Sequence, residues 1–183
     1  MNWLHTLLIL GAAFLAVFWE AAFHGIRNLL GAQVDLLPAL MVYASLRTDL
    51  RTVCLLALLG GLCFDSLSAN PLGVSVLPLF VIGVGLYATR ELVLRDQAFA
   101  QWVLGFGASA AAPLLTLLVL LTLGNTPALG WGSLWQWVVM SAGGAVATPL
   151  CFVLFEWVQR ALVHSRVSET SFRPDREIRR GRV

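Results

Sequence analysis

Three acidic side chains stand within or beside apolar runs of this chain, and they are the residues most able to do chemistry. Asp65 ends one run, Asp35 begins another, and Glu20 lies near the end of the first run, four residues before His24. A carboxylate inside a bilayer is costly, so it usually faces protein or water and serves as a polar anchor or part of a proton path. Because the hairpin around Asp65 holds no basic residue, the sequence favours an anchor that accepts hydrogen bonds.

Signatures of common enzymes are missing from the sequence. It holds no Gly-x-Ser-x-Gly, no His-Glu-x-x-His and no Walker A loop, and it lacks the paired acidic motif expected of magnesium-dependent membrane phosphotransferases. Cys54, Cys63 and Cys151 lie inside apolar runs at spacings that match no disulfide or metal framework, so they should pack as small apolar groups. We therefore predict a non-enzymatic protein with no catalytic residue, metal or cofactor.

The composition is that of a polytopic membrane protein. Of the 183 residues, 58% are hydrophobic and only 12% are charged, whereas a soluble domain carries about 25% charged residues. A membrane-spanning helix needs about 20 mostly apolar residues. The apolar runs predict six spans, at about 3–23, 32–46, 52–69, 72–89, 98–123 and 133–159, followed by a basic tail at 162–183.

Arginine placement predicts the orientation of these spans. The loops after spans two and four hold two arginines each, and the chain from residue 160 onward holds seven, so eleven of the twelve share one side and only Arg27 is opposite. The positive-inside rule then favours a six-helix transmembrane bundle with both termini in the cytoplasm. The segment 32–46 is the weakest span, because Asp35 and Pro38 lie near its start, and a re-entrant segment is the alternative there. The basic tail is predicted to be a cytoplasmic tail of this topology, with attraction to anionic lipid as the alternative. The partners of the chain then include the lipid bilayer and no nucleic acid.

The hairpin at 61–73 has a regular pattern of small residues. Ala57, Gly61 and Asp65 recur at a spacing of four and therefore share one helical face, along which small residues let another helix approach closely. At 1.5 Å per residue, Asp65 lies about 20 Å from the start of its span, in the outer third of the bilayer. We expect its carboxylate to accept hydrogen bonds from Ser68 or from the backbone near Asn70.

Two segments of the chain resemble the MreD family, the rod shape-determining proteins of the bacterial inner membrane. The hairpin has the pattern Gly-Leu-x-x-Asp-x-x-Ser-x-x-Pro-Leu-Gly of that family, and the second span has its Asp-Leu-Leu…Tyr…Arg pattern. The chain departs from the family at Val34, where a Pro is common, and at Ser75, where a His is common. The matching residues are Gly61, Leu62, Asp65, Ser68, Pro71, Leu72 and Gly73 in the hairpin, and Asp35, Leu36, Leu37, Tyr43 and Arg47 in the second span.

This resemblance implies a non-enzymatic role in the cell-elongation machinery that maintains cell shape. The partners it implies are MreC, the peptidoglycan polymerase RodA and its class B penicillin-binding protein, and the fold it implies is similar to the S components of energy-coupling-factor transporters. For the partner contacts we favour the outer hairpin, residues 65–73, and the region 124–137. The alternative is a vitamin-binding S component, for which Ala12 and Ala16 on the first span would provide the contact with a transmembrane partner.

Overall fold

The computed structural model describes residues 3–22, 31–68, 71–91, 97–124 and 130–167, with side chains through residue 161. Every regular element in these ranges is a helix, which confirms the predicted all-α class. The residues of the tail from 168 onward, and Asn70 and His24, lie outside the described residues. The helices are α1 (Trp3–Ala22), α2 (Leu37–Arg47), α3 (Leu50–Leu67), α4 (Val76–Thr89), α5 (Ala98–Thr122) and α6 (Trp131–Val167).

Four of these helices, α1, α3, α5 and α6, are long and apolar enough to cross a membrane. At 1.5 Å per residue, the 20 residues of α1 cover about 30 Å, which matches the hydrocarbon core of a bilayer. Many of their large apolar side chains are exposed, as lipid contact would require. These features are those of a multi-pass membrane protein.

The helix α2 is the buried centre of the first of two compact units, which comprise Met1–Cys151 and Phe152–Val183. It contacts α1, α3, α4 and α5, and each of its residues except Arg47 is buried. Its 11 residues cover only about 16 Å. The expected span at 32–46 therefore begins as non-helical chain and becomes helical at Leu37, where Pro38 suits the first turn.

Contacts across the first unit show that α1 to α4 alternate in direction. The N-terminal part of α1 meets the end of α2 and the start of α3, and α4 finishes beside the end of α2. There the His5 ring nitrogen Nε2 lies 3.2 Å from the Tyr43 hydroxyl, and the hydroxyls of Thr6 and Thr52 lie 3.0 Å apart. This end carries Arg47, Arg51 and Arg90, and we call it the arginine end.

The guanidinium of Arg90 ties α4 to α2 at the arginine end. Its Nη1 donates to the carbonyl oxygen of Thr48 at 3.4 Å, and its Cζ lies 4.0 Å from the centre of the Tyr87 ring. Deeper in the unit, the Ser45 hydroxyl donates to the carbonyl oxygen of Gly83 at 3.1 Å. These bonds join the short helices α2 and α4 by polar groups as well as by apolar packing.

The helices α5 and α6 approach each other closely through small residues. A Cβ on Gly105 would overlap Thr148, and a Cβ on Gly144 would overlap Ser109. The Trp137 indole N–H donates to the carbonyl oxygen of Ala110 at 2.9 Å, less than one turn before Pro113, which interrupts the hydrogen bonds of α5. Polar and small groups therefore fix the contact between these two helices.

The second unit, within the described residues, consists of the C-terminal part of α6. Glu156 and Arg160, one turn apart, form an exposed ion pair with 3.5 Å between Oε2 and Nη2. Such pairs contribute only a few tenths of a kcal/mol.

Candidate functional site: carboxylates that begin two helices

Asp65, at the end of α3, binds the backbone at the start of α4. Its Oδ2 accepts hydrogen bonds from the amide N–H groups of Gly73, at 2.8 Å, and Ser75, at 3.0 Å. The first amides of a helix have no partner within the helix, and the helix dipole favours negative charge there. A carboxylate that is only 2% exposed thus satisfies the amide of Ser75, which caps α4, and that of Gly73 in the preceding turn, and it joins α3 to α4.

Two glycines allow this arrangement. A Cβ on Gly61 would lie 2.8 Å from the Cα of Val76, so only glycine lets the two helices come this close without displacing backbone. Gly73 has a φ of +92°, a conformation that other residues rarely adopt. The turn continues with the amide of Val74 donating to the carbonyl oxygen of Pro71 at 3.3 Å. The glycines of the sequence pattern therefore shape the turn that brings donors to Asp65.

The remaining hairpin residues lie around this centre. The hydroxyl of Ser68 donates to the backbone carbonyl oxygen of Asp65 at 3.3 Å, and the amide of Ser68 donates to the same oxygen at 3.2 Å. Pro71 and Leu72 are exposed, with Leu72 at 71%. The sequence argument had expected donors at Ser68 or near Asn70; the donors to the carboxylate described above, Gly73 and Ser75, lie further along the chain.

A second pair of carboxylates lies at the start of α2. Glu20 of α1 accepts a hydrogen bond on Oε1 from the amide of Leu36 at 2.7 Å. Asp35 accepts one on Oδ1 from the amide of Leu37 at 2.9 Å. Sequence reasoning paired Glu20 with His24, which lies outside the described residues, and did not foresee the bond to Leu36. No local spacing signals it, because the two partners are 16 residues apart and belong to different elements.

Glu20, Asp35 and Asp65 together form what we call the acidic end of the first unit, opposite the arginine end. Among the described residues no basic side chain pairs with them, and one oxygen of Glu20 (Oε2) and one of Asp65 (Oδ1) are buried without a hydrogen-bond partner. No group of three histidine, cysteine or acidic residues in the described part of the chain could hold a metal ion. Each acid instead accepts hydrogen bonds from the backbone at the start of a short helix.

Comparison of the chain with protein-family models, with curated proteins and with solved structures finds no match.

Proposed function

We propose that this chain is a non-enzymatic scaffold of the bacterial elongation machinery, similar to the MreD family. In this proposal it crosses the cytoplasmic (inner) membrane six times, keeps both termini in the cytoplasm, and holds MreC beside RodA and the class B penicillin-binding protein. The proposed fold is a six-pass bundle similar to that of S components, with the buried α2 as one of the six passes.

The observation that carries the proposal is the role of the hairpin pattern. Gly61 permits close contact, Gly73 provides the turn, and Asp65 accepts two backbone hydrogen bonds. The residues behind the resemblance thus cooperate in joining the end of α3 to the start of α4. Hydrogen bonds at this junction suit a docking role, because a preorganised surface loses less conformational entropy when a partner binds.

The separation of charge within the first unit supports the orientation. The positive-inside rule assigns the arginine end to the cytoplasm, and the acidic end then faces the periplasm. Single cysteines in a variant without the native thiols test this. We expect Gly132→Cys to react with an impermeant maleimide added to intact cells and Arg51→Cys to react only after lysis. The reverse pattern would contradict the proposed topology.

Exposed apolar side chains at the acidic end are the proposed contacts with MreC. Leu67 and Leu72 flank the hairpin, and Trp131 is 85% exposed at the start of α6. Interfaces are enriched in such aromatic and apolar anchors. We expect Leu67→Ser combined with Leu72→Ser, or Trp131→Ser, to lower co-purification of MreC at least tenfold.

The matched control is Leu7→Ser, since Leu7 is comparably exposed on α1 but lies towards the arginine end. Unchanged recovery of MreC with both outer variants would refute the contact surface.

The role itself is tested by expression in rod-shaped cells depleted of MreD, where restored rod shape is expected. If the purified chain held a tightly bound vitamin or carried ATPase subunits with it, the alternative function, a vitamin-binding S component, would replace the scaffold proposal.

A further inference from the structure

A cavity of about 230 Å³ lies at the acidic end of the first unit. Residues from the start of α2 through α6 contribute to its wall, so it exists only when these helices are assembled. Most of its lining is apolar. Its polar groups are the side chains of Asp35, Ser75, Thr116 and Gln136.

Asp35 is the charged group in this wall, and it is only 8% exposed. Among the described residues, its carboxylate accepts a hydrogen bond from the amide of Leu37. The neighbouring Glu20 is a second buried acid that interacts with it electrostatically. None of the described residues that line the cavity is basic. A buried carboxylate is stabilised by a positive or donating partner, and the cavity provides the space for one.

We propose that this cavity binds a small amphipathic amine, with its ammonium group on the Asp35 carboxylate and its hydrocarbon part against Leu117 and Leu120. The Thr116 hydroxyl and the Gln136 amide supply further polar contacts at the wall. At the ~30 Å³ that one water occupies in the liquid, the volume holds roughly eight non-hydrogen atoms. This binding is independent of the scaffold role.

The test uses three probes built on the same ring: cyclohexylammonium and cyclohexanol, which match in shape, and the larger cyclohexanecarboxylate. Their affinities follow from the concentration dependence of the thermal unfolding midpoint of the full chain in detergent. Because a hydrogen bond between two charged groups is the stronger kind, we expect the ammonium to bind at least tenfold more tightly than the alcohol, and the carboxylate to give no shift. Equal affinity of the ammonium and the alcohol for the wild-type chain would overturn the proposal.

Two variants assign the site. Asp35→Asn is expected to lower the affinity for the ammonium to that for the alcohol, and Leu117→Trp, which fills the cavity, to weaken both at least tenfold. The control Asp49→Asn removes an exposed acid that does not line the cavity and should change neither affinity. An ammonium preference that persists in Asp35→Asn would overturn the proposal even if Leu117→Trp failed to fold.

The amine could come from a lipid headgroup or from a free small molecule. Titrations in micelles with added phosphatidylglycerol or phosphatidylethanolamine distinguish the two sources. Weaker ammonium binding with phosphatidylethanolamine supports the proposal with the lipid as the natural amine, since the headgroup then competes. Equal binding in both supports it with a free amine.

Discussion

Two short helices of this chain begin on carboxylates, and the two starts are built differently. At α4, Asp65 accepts two backbone hydrogen bonds from residues eight and ten positions later, within one hairpin. At α2, two acids accept one bond each, and Glu20 comes from another helix. The same kind of contact, a carboxylate that accepts backbone hydrogen bonds where a helix starts, is therefore local at α4 and tertiary at α2.

At the start of α4, more of the hydrogen-bond energy depends on a single side chain than at the start of α2. Removing Asp65 leaves two donors without their acceptor, whereas removing Glu20 leaves one. Gly61 and Gly73 shape the turn beside Asp65, whereas Pro38 lies in the first turn of α2. The hairpin should therefore be the more sensitive of the two regions.

The largest effect is expected at Asp65. Asp65→Leu removes the acceptor for two buried amides and should lower the free energy of unfolding by about 2–4 kcal/mol, measured by denaturation in mixed micelles. Asp65→Asn keeps an acceptor oxygen and should lose less than half as much. The exposed acid Asp49, which makes no capping bond with its side chain, gives the control Asp49→Leu. Equal stability of Asp65→Leu and the wild type would reject the anchoring role.

Gly61→Ala tests the close approach of α3 and α4. The added Cβ would meet the backbone of Val76, and overpacking of this kind costs about 1–3 kcal/mol. Gly85→Ala, in α4 with open space around the new Cβ, should be neutral or slightly stabilising because alanine favours helix. If both variants unfold at the same denaturant concentration, the contact between Gly61 and Val76 does not constrain the hairpin.

Gly73→Ala tests the turn itself. The left-handed conformation costs a residue with a Cβ roughly 1–2 kcal/mol, so the same unfolding assay should show that loss. Leu72→Ala, at the exposed neighbouring position, should change the free energy of unfolding by less than about 0.5 kcal/mol. A greater loss from Leu72→Ala than from Gly73→Ala would contradict the described turn.

The smallest effects on the free energy of unfolding are expected at the start of α2, where Glu20 comes from another helix. Glu20→Ala removes one acceptor and should cost about 1–2 kcal/mol. Glu20→Gln keeps the acceptor oxygen for the amide of Leu36 and removes an acid that lies beside Asp35, so it should be neutral or stabilising. A loss with Glu20→Gln as large as with Asp65→Leu would erase the proposed difference between the two regions.

The sequence predicted the helical class and a hydrogen-bonded Asp65 in the hairpin, because both are encoded locally. A spacing of four joined Gly61 to Asp65, and the turn residues followed within ten positions. It did not predict the donors to Asp65. The amides of Gly73 and Ser75 reach the carboxylate only after the chain has reversed its direction between α3 and α4.

Features that depend on tertiary packing could not be read from the sequence. The short α2 has an apolar pattern on all sides, so its start at Leu37 was not distinguishable from a longer span. The close approach of α5 and α6 places Gly144 against Ser109 and Thr148 against Gly105, and these partners are far apart in the sequence. The bond from Leu36 to Glu20 and the cavity beside Asp35 arise only when separate helices assemble.

Amide hydrogen exchange in the α4 hairpin tests the central claim most directly. If the Asp65 carboxylate holds the amides of Gly73 and Ser75, Asp65→Leu should speed exchange at these two amides at least tenfold, with little change at Leu36 and Leu37. The account is contradicted if both amides exchange at the wild-type rate in a folded Asp65→Leu protein.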